Sequence, residues 1–129
     1  MIEIKAVAKK NPQNLKVPVK YYAGKVNQGE VSLKFISRRM AKDSHLCEKD
    51  IHKVLMDYNE LIPVYIGQGK IVRIEEFGSY YLSINSSASD SPENVSIDNV
   101  KALRIGFRPS KPAKDKVAMY DLKMVVENS

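Results

Sequence analysis

A chain of 129 residues, 43% of them hydrophobic and 28% charged, has room for one sizeable core and the composition of an ordinary globular domain. It holds no apolar run near the roughly 20 residues of a membrane helix, and Met1-Ile2-Glu3-Ile4-Lys5 has an acid where a secretory leader is positive, so a cytoplasmic location is expected. Its one cysteine, Cys47, excludes an intrachain disulfide and a cysteine-rich zinc site, and its formal charge of +6 admits a polyanionic partner without requiring one.

Residues 1–8 alternate, with Ile2, Ile4 and Ala6 on one side and Glu3, Lys5 and Val7 on the other, which predicts a half-buried strand broken by residues 9–14. Val17, Val19, Tyr21 and Ala23 repeat the period of two and predict a second strand over 17–26, with Pro18 acceptable at its start or edge. Two strands alone are marginal. Ala118, Tyr120, Leu122, Met124 and Val126 alternate as well, so the two chain ends are expected to meet in one small sheet.

Ser32 suits a helix N-cap, and Leu33, Ile36 and Met40 place an apolar stripe under a helix reaching about Asp43. A second helix is predicted to start at Cys47 and to carry Ile51, Val54, Leu55, Tyr58, Leu61, Ile62, Tyr65 and Ile66 at helical spacing. Pro63 within it predicts a kink or a stop and restart, and Gly67 and Gly69 offer positive φ at its end. A strand is then expected to begin over 70–74 and to continue across a bend over 77–82, followed by a polar arm over 85–99 around Pro92, a further strand over 100–107, and a solvated loop holding Lys111, Lys114 and Lys116.

The charge is segregated along this order. Residues 1–40 carry nine basic and two acidic groups and residues 100–129 seven and three, whereas 71–99 carry one and five. His45, Cys47, Asp50 and His52 lie close in sequence, but a helix starting at Cys47 would spread them around its sides, so no metal site and no catalytic thiol is expected. The seven tyrosines are better read as core or interface than as a base-stacking platform. No phosphate loop, nucleophile elbow or His-Glu-x-x-His motif is present, and no enzyme activity, cofactor or small-molecule substrate is expected.

Two helices, then Phe77-Gly78-Ser79-Tyr80, an arm, and Phe107-Arg108-Pro109-Ser110-Lys111 resemble, in order and spacing, the HU/IHF family of bacterial histone-like DNA-binding proteins, in its HU-like branch with an N-terminal extension. The resemblance implies an α+β fold: an intertwined dimer with a helical base, an antiparallel sheet and a short arm. To this the chain ends add their small sheet. One domain is expected over 1–129, with an extension over 1–31, an HU-like core over 32–116 and a C-terminal strand over 117–129.

The resemblance also implies a homodimer on double-stranded DNA in the bacterial nucleoid, without sequence preference. Arg73, Gly78, Ser79, Lys101, Arg104, Arg108, Pro109, Lys111 and Lys114 are then the candidate phosphate contacts, Gly78 through backbone approach at a strand edge. Ile51, Leu55, Tyr58, Ile62, Phe77 and Phe107 are the candidate dimer interface. The chain departs from the family in three ways. Its arm carries Asp90, Glu93 and Asp98 and no cation, Pro92 matches the family's wedging proline only superficially, and Glu76 and Ser110 stand where the motifs have glycine. The acidic arm motivates a second reading, an interaction module that kept the fold and lost strong DNA binding. The N-terminal lysines Lys5, Lys9, Lys10, Lys16, Lys20 and Lys25 fall outside the shared core, where guarding a sheet edge against aggregation is the plainest role.

Overall fold

The structure is a computed structural model that describes residues 1–10, 13 and 16–126. In chain order the elements are β1 (Ile2–Lys9), β2 (Lys20–Lys25), α1 (Leu33–Lys42), α2 (Glu48–Ile66), β3 (Val72–Ile74), β4 (Gly78–Ser86), β5 (Val100–Pro109), α3 (Lys111–Ala118) and β6 (Leu122–Met124). They form two compact units, Met1–Glu30 with Lys116–Ser129 and Val31–Asp115. Part of the break expected at 9–14 and the end of the segment expected over 117–129 lie outside the described residues.

The terminal unit is a three-stranded sheet in the order β2-β1-β6, so the chain ends do share one sheet. β1 runs antiparallel to β2 and parallel to β6. Backbone bonds from Ile2 N to the Asp121 carbonyl (2.8 Å) and from Val125 N to the Ile4 carbonyl (2.9 Å) extend the second pairing. Gln28 ties the start of β1, accepting from Glu3 N at 3.0 Å and donating to the Met1 carbonyl at 3.2 Å.

The larger unit packs α1 and α2 together, with α2 also against β3 and β4 of a second sheet ordered β3-β4-β5. Ser32 caps α1 as its sequence predicts, its Oγ accepting from Phe35 N at 3.1 Å. Within α1, Ser37 is fully buried and returns its hydroxyl to the Leu33 carbonyl at 2.8 Å, which leaves no buried polar atom unpaired there. Cys47 takes the N-cap position of α2 without a side-chain capping bond. The helix continues past Pro63 to Ile66, because only one turn remains beyond the proline. Of the two glycines that follow, Gly69 adopts positive φ (78°) and Gly67 stays right-handed.

Four sequence expectations are corrected. Residues 111–118 form a helix, not a loop: Ser110 caps it, Lys114 N bonds the Ser110 carbonyl at 3.1 Å, and Pro112 falls in the first turn, where its missing N–H has no partner to lose. The C-terminal strand is correspondingly short, and β2 begins at Lys20, not at residue 17. Residues 70–74 and 77–82 do not continue one another across a bend; β3 and β4 fold back as an antiparallel pair around Glu76, which adopts φ 64°.

The larger unit contains little core of its own. Ile51 and Ile66, 5% and 2% exposed, are the buried apolar side chains among the described residues. Phe35, Val54, Tyr58, Leu61, Val64 and Tyr65 on the helices remain largely exposed.

Candidate nucleic-acid interface

Strand register sorts the second sheet into two chemically opposite faces, since residues paired across strands share a face and neighbours along a strand alternate. Arg73 pairs with Ser79, and Ser79 with Arg108, so one row runs arginine, serine, arginine across all three strands. Along the same face follow Tyr81 opposite Gly106, Ser83 opposite Arg104, and Asn85 opposite Ala102. The other face carries Val72, Ile74, Tyr80, Leu82, Ile84, Leu103, Ile105 and Phe107. On it Ile84, Leu103 and Ile105 are 55%, 65% and 61% exposed.

The polar face is organised by an aromatic ring. The Tyr81 ring lies over Gly106, where any Cβ would collide with it, and the Arg108 guanidinium sits 5.5 Å from the ring centroid. Glycine at 106 therefore lets tyrosine lie across the neighbouring strand and support an exposed arginine. Beside them, Gly69, Lys70, Arg73, Ser79, Tyr81 and Arg108 line an open groove of about 530 Å³. Lys70 and Tyr81 were not among the candidates read from sequence. The signal for Lys70 was its place two residues before β3, and for Tyr81 its period-two relation to Ser79.

The remaining sequence-derived candidates fall elsewhere. Gly78 lies on the middle strand and is buried, not at a strand edge. A Cβ there would stand 2.5 Å from the Arg108 carbonyl oxygen and 2.6 Å from Phe107 Cζ, so glycine is needed for the packing of Phe107. Phe107 in turn holds Phe77 and Tyr80 at centroid distances of 4.9 and 4.7 Å. Pro109 pairs with Gly78 at the end of β5. Lys101 is passed over in the pairing of β4 with β5, where the register shifts, and is exposed. Lys111 and Lys114 lie on α3, the former bonded to Asp115 at 3.0 Å. Of the interface candidates, Ile51 is buried within its own chain, Leu55 and Ile62 are half-buried, and Tyr58, Phe77 and Phe107 are exposed.

The two glycine replacements noted in the motifs touch each other. Ser110 Oγ donates to the Glu76 carbonyl at 2.7 Å, and Ser110 N donates to the Phe77 carbonyl at 2.8 Å. The same hydroxyl accepts from Ala113 N at 3.3 Å, so one serine fixes both the β3–β4 turn and the start of α3.

The acidic arm is a closed, hydrogen-bonded loop. Ser87 N donates to the Asn99 carbonyl at 2.8 Å, and Asn99 Nδ2 reaches Ser89 Oγ at 2.9 Å and Ser87 Oγ at 3.1 Å. Pro92 opens the first of two 3₁₀ turns within it, and Ile97, which opens the second and is 89% exposed, is the apolar side chain this arm presents most openly. Among the described residues no cluster of histidine, cysteine, aspartate and glutamate could hold a metal ion, and no helix is long and apolar enough to cross a membrane. One lysine has a resolved perturbation: Lys53 on α2 is raised by its hydrogen bond and charge contact with Asp57 and lies outside the cationic face.

The profile of the family described as "HU domain fused to wHTH, Ig, or Glycine-rich motif" matches residues 2–123. The chain belongs to the HU-HIG family. Among solved structures, a candidate bacterial DNA-binding protein from Bacteroides vulgatus superposes with a TM-score of 0.70 at 9% identity, covering 98% of this chain and 49% of that one. The HU-HIG chain thus spans about half the length of that protein. The HU protein of Anabaena, crystallised with DNA, matches with a TM-score of 0.55 at 19% identity over 70% of this chain and all of its own. No curated protein matches by sequence. The α+β fold is therefore that of the HU-type DNA-binding proteins.

Proposed function

We propose that this HU-HIG protein binds double-stranded DNA without sequence preference, as a homodimer and an architectural component of the bacterial nucleoid in the cytoplasm. The observation that carries the reading is the convergence of Arg73, Arg104 and Arg108, with Ser79 between two of them, on one exposed sheet face. Guanidinium and hydroxyl donors in that arrangement suit phosphate oxygens, which position a protein on a duplex without reading its bases. The acidic arm favours contact through the sheet over the gripping arm of other HU proteins. No chemistry is asked of the site.

The homodimer is supported by exposed area. Two bodies of these sizes, each compactly folded, would expose about 8,000 Å² together, whereas the chain exposes 11468 Å². The excess is on the scale of an obligate dimer interface, and the exposed apolar side chains include Val54, Leu61 and Val64 on α2 and Ile84, Leu103 and Ile105 on the sheet face opposite the arginines.

Salt-dependent binding to a mixed-sequence duplex tests the function. Log affinity should fall linearly with log salt at about 0.9 per neutralised phosphate. The Arg104→Glu/Arg108→Glu variant should bind far more weakly, with a slope shallower by about 1.8 per chain. Absence of duplex binding by the unaltered protein at low salt, or an unchanged slope in the variant, would overturn the reading.

A further inference from the structure

The terminal sheet is as two-sided as the first. Register places Ile2, Ile4, Ala6 and Ala8 with Tyr21, Ala23, Lys25, Leu122 and Met124 on one face. The other carries Lys5, Lys9, Lys20 and Lys123 with Glu3, Val7, Tyr22 and Gly24. Glu3 is the one acid among these residues, and its register partner is Lys123. The cationic character of the face thus centres on the far end of β1, where Lys9 and Lys20 stand directly opposite each other. Like charges in that relation oppose strand pairing and are relieved when an anion binds between them. Tyr22 lies beside them, half exposed, with the Lys9 ammonium 5.2 Å from its ring centroid.

Protection of a sheet edge accounts for lysines on these strands, since Lys20 is on the edge strand β2 and Lys5 and Lys9 lie where β1 pairs with β2 alone, but not for two lysines set directly opposite each other on one face. The first thirty residues hold six lysines against two glutamates, while the arm that other HU proteins press onto DNA is acidic in this chain.

We propose that the Lys9–Lys20 face of the terminal sheet is a second phosphate-contacting surface for duplex DNA, which supplies electrostatic attraction that the acidic arm does not. The inference rests on the DNA-binding reading above. The lysine ammoniums take single phosphate oxygens as point charges, and Tyr22 flanks them with a planar surface against a sugar. Two such surfaces joined in one chain raise each other's effective concentration on the same polymer.

The test is a salt titration on a mixed-sequence duplex with the full chain and two variants. Lys9→Gln/Lys20→Gln should weaken binding and reduce the salt slope by about 1.8 per chain, while Lys25→Gln, on the opposite face of the same sheet, should leave the slope unchanged. Equal circular dichroism and thermal midpoints for all three proteins establish that the sheet is intact. If the unaltered protein binds DNA and the double variant matches it in slope, or Lys25→Gln lowers the slope as much per lysine, the second surface is refuted and the arginine face stands. If the unaltered protein binds no duplex at low salt, both fail together.

Discussion

Replacing Leu103 and Ile105 together by aspartate tests whether the apolar face of β5 is an interface between two copies of the chain. Both side chains share that face with Phe107 and Ile84, and they are 65% and 61% exposed in a single chain. Full burial of such a side chain contributes about 1.5–3 kcal/mol, so the three-fifths left uncovered is worth roughly 1–2 kcal/mol per residue on association. With two residues on each of two chains the loss is about 4–8 kcal/mol per dimer, or roughly a 10³- to 10⁶-fold rise in dissociation constant. Burying four carboxylates adds to that penalty. Sedimentation equilibrium should show the unaltered protein at twice its 14.6 kDa chain mass and the double variant dissociated or unfolded. Ser83→Asp, on the opposite face beside Arg104, should stay dimeric. The reasoning is refuted if the unaltered protein is a folded monomer at high micromolar concentration, or if the double aspartate variant associates as tightly as its parent.

Two further changes probe how the arginine face is supported. Gly78→Ala forces a methyl against the Arg108 carbonyl and the Phe107 ring and should destabilise the fold by about 1–3 kcal/mol in urea unfolding; equal stability would show that the strands move apart freely. Ser110→Ala removes the hydroxyl that bridges the Glu76 carbonyl and the start of α3, and should lower stability by about 0.5–2 kcal/mol, with amide exchange quickening first at Ala113 and around the turn at Glu76. Unaltered exchange at both places would refute the bridging role.

Much of the fold was legible because its signals are local. α1 and α2 follow from apolar spacing and from Ser32, whose capping bond depends on four consecutive residues. The meeting of the chain ends followed from alternation in both. The helix over residues 111–118 was hidden because it is short and has no buried side chain, so its apolar pattern is weak, and because Pro112 reads as a loop residue until its place in the first turn is known. Gly78 was read for what glycine allows, backbone approach to a ligand. Its place under Phe107 depends on a partner strand about thirty residues away.

The amino-acid sequence by itself determined the types of the elements other than α3, the segregation of positive charge to the two ends, the acidity of the arm and the motifs that point to the HU fold. Only the tertiary structure decided which cations act together. Arg73, Ser79 and Arg108 are dispersed over 36 positions and become one row through cross-strand register, and Lys9 and Lys20 become neighbours in the same way. The physical reason is the period of two along a strand. A shift of one residue in the β3–β4 pairing would send Arg73 to the apolar face, and one in the β4–β5 pairing would send Arg104 and Arg108 there, so the charge arithmetic of the chain acquires meaning only once the register is set.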